Sequence, residues 1–251
     1  LNPVHPEIRQ ILVQTTRPAF IFAPKPYLHH AKISSAMPAS APIKPKNSGT
    51  RQLFENPILE KLTRTHIAIP VTLFLVAGAG LGWYAFAHTD LARWAIGALF
   101  FVGLLAFTFV EYWLHRSVYH IEPTTDARAK FQYTMHGVHH EFPKDKTRLA
   151  MPPILAVIVA SAFFGLFFLL MGEAAYAFFP GFIWGYAGYL TVHYCVHAYP
   201  PPKNFLKALW INHSVHHYKD GEVVFGVSSP LWDYVFGTMD ERKPGKVASG
   251  K

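Results

Sequence analysis

The chain has 251 residues and a mass of 28.3 kDa, a size that suits one ordinary domain or a small membrane protein. Only 15% of its residues are charged against 51% hydrophobic, with mean hydropathy +0.17, whereas a soluble domain carries about 25% charged residues. This excludes disorder over most of the chain, and the net charge of +8 sits beside too much apolar surface for a soluble nucleic-acid binder.

In chain order, residues 1–10 lack the apolar core of a signal peptide. The first 50 residues hold eight of the 20 prolines, which predicts an irregular N-terminal arm over 1–50. Four apolar runs follow, over 67–87, 91–110 (with Arg93 at its boundary), 151–171 and 174–195. Each approaches the roughly 20 residues with which a helix crosses the hydrocarbon layer. Backbone polar groups in lipid must be satisfied internally, so helices are the expected form. Pro70, Pro152 and Pro153 fall near helix starts, where a missing N–H costs little, and Pro180 predicts a kink in the fourth run.

Very short turns at 88–91 and 172–173 make two helical hairpins. All long segments then lie on one side, and they carry 22 of the 23 Lys and Arg residues. The positive-inside rule makes that side cytoplasmic. The expected fold is an all-α integral membrane protein of four transmembrane helices in two hairpins. A cytosolic histidine-rich helical cap completes a domain over 51–240, and a tail spans 241–251. A soluble protein with four such core helices is the weaker alternative.

Ten of the 15 histidines cluster at the cytoplasmic ends of these hairpins. They are His115 and His120, then His136, His139 and His140, then His193 and His197, then His213, His216 and His217. His5, His29, His30, His66 and His88 read as ordinary arm, boundary or loop residues. Residues three and four apart share a helical face, so each of the last three groups presents its imidazoles together. Adjacent histidines such as His139 and His140 point about 100° apart and so suit two neighbouring metals. His115 and His120 would lie about 140° apart on a helix, which suits different metals or a helix ending between them. Ten ligands exceed one ion and suit two.

The single cysteine, Cys195, excludes a disulfide framework and a cysteine-rich metal site, and reads as a core thiol between His193 and His197. No HExxH and no CxxCH motif is present. The spans have almost none of the mid-membrane polar groups that a zinc transporter would need. An all-nitrogen, two-metal site at a membrane face fits a redox iron pair that oxidises an acyl chain, although imidazole also accepts zinc, which can replace iron in a purified protein.

The words around the histidines carry a family resemblance. FENPILEKLTRT at 54–65, EYWLHRSVYH at 111–120, HGVHHEFPKDKTRLAMPP at 136–153 and INHSVHHYKDGEVVFGVSSPLWDYVFGT at 211–238 resemble the fatty acid hydroxylase superfamily, closest to the sphingolipid fatty acid 2-hydroxylases. The resemblance covers about residues 50–240. It implies that all ten histidines ligate two iron ions and that O2 is a co-substrate. It further implies C2 hydroxylation of a fatty acyl chain, ceramide-linked or free, reached by a hydrophobic path. No fused cytochrome b5 domain is visible, so the expected partners are the membrane, the lipid substrate and a separate electron donor (cytochrome b5-like, ferredoxin or reductase). A bacterial inner membrane is the favoured location, or the endoplasmic reticulum in a eukaryote. Glu111, Asp145 and Asp220 are candidates to orient imidazoles. The alternatives are another membrane di-iron lipid oxidase, such as a desaturase or a sterol or carotenoid hydroxylase, and a non-catalytic metal-binding or metal-transport protein.

Overall fold

The computed structural model describes residues 43–240, so most of the expected arm and the tail at 241–251 lie outside the described residues. The first helix, α1 (Pro57–Leu62), starts where Asn56 accepts from the Ile58 and Leu59 N–H groups and Pro57 occupies the first turn. Four long helices follow: α2 (Ala68–His88), α3 (Arg93–Leu114), α6 (Pro153–Met171) and α7 (Ala175–Ala198). Between them lie the short helices α4 (Asp126–Gln132) and α5 (Val138–Glu141). After them come α8 (Lys207–Tyr218) and α9 (Leu231–Phe236).

Three helical stretches among the described residues are long and apolar enough to cross a membrane: Ala68–His88, Arg93–Tyr119 and Lys146–Ala198. The third contains both α6 and α7, divided by a short turn at Gly172–Ala174 whose first residue has φ 58°, where glycine carries no steric penalty. Leu169 is 85% exposed, Trp94 78% and Phe101 69%. Large apolar side chains facing outward along whole helices mark a lipid-facing surface. The protein is therefore an all-α, multi-span membrane protein.

Helix α7 is the hub, packed closely against α2 and α3. A Cβ at Gly181 would lie 1.8 Å from the Phe100 carbonyl oxygen, and one at Gly103 would lie 2.1 Å from that of Phe178. Only glycine permits this approach of α3 to α7. Helix α6 packs mainly on α7 and leaves a gap towards α3. Pro180 lies inside α7, which runs unbroken through it.

Two helices outrun their apolar runs. The second run stops at Val110 because Glu111 is charged, yet α3 continues to Leu114, because buried Glu111 accepts from the N–H groups of Val227 and Ser228 (both 2.8 Å). Helix α7 continues past Cys195 to Ala198. His115 thus follows directly on one long helix, while His193 and His197 ride the end of another.

Candidate metal centre

The long helices deliver histidines to one end of the bundle, and the short elements close over them. Two π-helical turns set the register. One spans His115–Tyr119, where the His120 N–H bonds the His115 carbonyl at 3.2 Å. The other spans Tyr133–Gly137 and leads into α5. A π-turn adds one residue per turn, so residues five apart come onto the same side.

All ten clustered histidines converge, in two groups of five. His115, His120, His136, His140 and His216 form the first, and His139, His193, His197, His213 and His217 form the second. Within each group one ring nitrogen per residue lies within 4.8 Å of all the others. Pairs four apart on a helix stay together: 136/140, 193/197 and 213/217. The neighbour of each facing pair crosses over, so His139 joins the second group and His216 the first. His115 and His120 share one group because the π-turn replaces the α-helical spacing that would separate them.

Backbone carbonyls orient several rings. His115 Nδ1 donates to Phe225 O (2.5 Å), His216 Nδ1 to Val223 O (2.8 Å) and His193 Nδ1 to Leu149 O (3.1 Å). A proton fixed on Nδ1 leaves Nε2 with its lone pair. These Nε2 atoms then face others: His115 to His136 at 3.0 Å, His216 to His120 at 3.1 Å and His193 to His139 at 3.0 Å. Both nitrogens of His217, and Nδ1 of His139 and His213, are buried with no hydrogen-bonding partner among the described residues. Burial first, and neighbouring imidazoles second, push His136, His139, His140, His213 and His217 well below the ordinary histidine range, and hold His120 and His216 at about 3. Ten neutral imidazoles with converging lone pairs suit a pair of transition-metal ions, and orphaned buried nitrogens of this kind suit little else.

The three candidate carboxylates are engaged elsewhere or locally. Glu111 holds Val227 and Ser228, including the Ser228 hydroxyl. Asp145 accepts from Thr50 and Thr147 and pairs with Arg64 and Arg148. Asp220 accepts from the Glu222 N–H. Carbonyls, which leave no mark in a sequence, contact the rings instead. Buried Asp233 also escaped sequence reasoning; its only signal was its place in the PLWDYVFG word. Cys195 belongs to neither histidine group.

An apolar cavity opens beside the first group. Phe107, Val110, Leu114, Ala156, Ala160 and Phe163 line it within the bundle, in the gap between α3 and α6, and His115 and Tyr119 close its upper end. A second pocket, lined by His136, His139, His193 and Arg148, shares Tyr119, Met151 and Tyr189 with the first. Tyr119 stacks on His136 (centroids 5.2 Å) and Tyr189 on His193 (5.5 Å). Side chains of both histidine groups therefore border two adjacent pockets, one at the cap and one in the apolar bundle, with Tyr119, Met151 and Tyr189 common to their walls.

Residues 100–238 match the fatty acid hydroxylase family. The chain is 37% identical to the ceramide very long chain fatty acid hydroxylase of Saccharomyces cerevisiae over 76% of this chain and 50% of that one. It is 32% identical to an Arabidopsis thaliana dihydroceramide fatty acyl 2-hydroxylase over 80% and 83% of the respective chains. The solved structure of full-length scs7p, in which only the hydroxylase domain is visible, superposes with TM-score 0.69 at 34% identity, covering 74% of this chain and 71% of that one. The chain spans about half the length of several curated relatives that it matches, 50% of the budding-yeast enzyme and 40% of the human fatty acid 2-hydroxylase. With two five-histidine groups set above an apolar cavity, the chain belongs to the fatty acid hydroxylase family.

Proposed function

We propose that the protein is a di-iron monooxygenase that hydroxylates C2 of a fatty acyl chain, ceramide-linked or free, with O2 and two electrons. The observation that carries this reading is the contact between the first histidine group and the apolar cavity: His115 belongs to that group and also lines the space between α3 and α6. The ten histidines are the metal ligands, five to each ion. The iron pair supplies the O2-derived oxidant needed for an unactivated C–H bond.

The chain's own residues perform the remaining work. The aromatic and aliphatic walls at Phe107, Phe163, Ala156 and Ala160 hold the hydrocarbon tail and exclude water. The second pocket takes the carboxyl or amide end, so the C1–C2 segment lies beneath the histidines, beside the Tyr119, Met151 and Tyr189 walls common to both pockets. In finer detail, residues 51–240 form one domain, the four long helices cross as two hairpins, and the metal site faces the cytoplasm, as the placement of the basic residues favours. Electrons come from a separate donor protein.

Purification from an iron-supplemented host, followed by product analysis with a ceramide and a free fatty acid, tests this reading. A 2-hydroxy product and about two metals per chain are expected. A double bond without added oxygen would favour the desaturase alternative.

A further inference from the structure

The first histidine group is backed by a loop. Residues 223–228 contact it through two backbone carbonyls and the Phe225 ring. Val224 has φ 57°, a left-handed conformation rarely adopted by a β-branched residue, and is 1% exposed. The two carbonyls that flank this strained residue, on Val223 and Phe225, are the ones that accept from His216 Nδ1 and His115 Nδ1. The Phe225 ring packs against His115, His120 and His216, with centroids 5.6–5.8 Å away. Backbone strain of this kind persists only where its surroundings impose it.

Two buried carboxylates impose it. Asp233, fully buried, accepts from the N–H groups of Phe225 and Gly226 (both 2.8 Å) and from the Thr238 hydroxyl (2.7 Å). The Thr238 carbonyl in turn accepts from the Val224 N–H at 2.8 Å. A Cβ on Gly226 would meet the Ser229 carbonyl oxygen at 2.2 Å, so the loop closes tightly on the aspartate. Glu111 takes the next two N–H groups, of Val227 and Ser228. Among the described residues the second histidine group has one ring-to-carbonyl anchor, His193 Nδ1 to Leu149 O, against two in the first, and Nδ1 of His139, His213 and His217 is buried without a partner.

We propose that Asp233 and Glu111 are positioning residues that act through the Val223–Ser228 loop to pre-orient His115 and His216, so that the first histidine group holds its metal more tightly than the second. The second group is the labile subsite. A ligand held in its binding orientation loses less freedom when the ion arrives, and a hydrogen-bonded imidazole is the more basic donor. The proposal rests on the dinuclear reading above.

The test follows release of Fe2+ from the loaded full-length protein to a ferrous chelator. Release should be biphasic with equal amplitudes. His139→Ala should abolish the fast phase and keep the slow one. Asp233→Asn, which keeps the side-chain shape but loses carboxylate acceptors, should speed the slow phase about 10–100-fold and leave the fast phase unchanged. Ser228→Ala provides a milder version should Asp233→Asn fail to fold, with a smaller acceleration of the same phase. A single phase, or equal acceleration of both phases by these variants, would overturn the proposal while leaving the dinuclear reading intact. Failure of the native protein to bind iron would overturn both.

Discussion

His115 and His120 stand five residues apart, yet their rings lie 5.2 Å apart in the same histidine group, because the backbone between them closes a π-turn. Inserting one alanine after Ser117 should put His120 six residues from His115 and swing it about 100° away. Metal content should fall from about two ions per chain to about one, with the second group still loaded. Elemental analysis of the purified variant checks this, and retention of both metals would refute the role given to the turn.

Adjacent residues belong to different groups at His216 and His217. His216→Ala and His217→Ala should each lose about one metal and nearly all hydroxylase activity. The His216→Ala, His217→Ala double variant should lose both metals. Measuring metal content in the three proteins separates two five-ligand subsites from one shared ten-ligand site.

The cavity between α3 and α6 makes a prediction about substrate without touching a histidine. Ala160 lines its wall. Ala160→Phe should keep both metals yet reduce turnover of long acyl chains about tenfold or more relative to short ones. Competition between acyl substrates of different length, read by mass spectrometry, measures this ratio. An unchanged ratio would place the acyl chain elsewhere.

Glu141 gives a pH dependence through its own hydrogen-bond partners. Hydrogen bonds from Lys46 and Tyr133 hold its carboxyl below the ordinary value of 4.5. A depressed carboxyl stabilises the fold above its unfolded-state pKa, and that stabilisation is lost as pH falls through the depressed folded-state value. Glu141→Gln should therefore lower stability at pH 7 by about 1 kcal/mol, and the difference from the native protein should shrink as the pH is lowered below 4.5. Thermal unfolding across this range checks both the sign and the window.

Arg148 ties the segment before α2 to the loop before α6. It donates to Thr63 Oγ1 (2.7 Å) and the Arg51 carbonyl (2.9 Å) and pairs with Glu60, with little of its side chain exposed. Arg148→Ala leaves Glu60 with Arg64 but removes this partner and the bonds to Thr63 and Arg51, and should cost about 1–3 kcal/mol. A drop below about 1 kcal/mol in chemical denaturation would mean that water replaces the guanidinium.

The long helices were legible in the sequence because a hydrocarbon environment demands uninterrupted apolar residues, and the histidines were legible because few other roles place four such clusters at one end of a bundle. Their division between subsites was partly legible. The 100° step between neighbours separates His139 from His140 and His216 from His217, as the spacing implies. The pairing of His115 with His120 was not, since a π-turn has no residue signature and α-helical periodicity argued for separate metals as readily as for a broken helix. The end of α3 was misplaced at Val110 because Glu111 reads as a boundary charge; its partners, Val227 and Ser228, lie more than a hundred residues away. The carbonyls of Leu149, Val223 and Phe225 could not be read at all, because backbone acceptors are common to every residue and only the folded loop aims them.

The most direct measurement of the central claim uses an acyl substrate carrying two deuteriums at C2, turned over under 18O2 by the iron-loaded protein with a reducing system. The account predicts a product that has lost one deuterium from C2 and gained one 18O there. A product with a new double bond and no 18O, or with oxygen at another carbon, would contradict it.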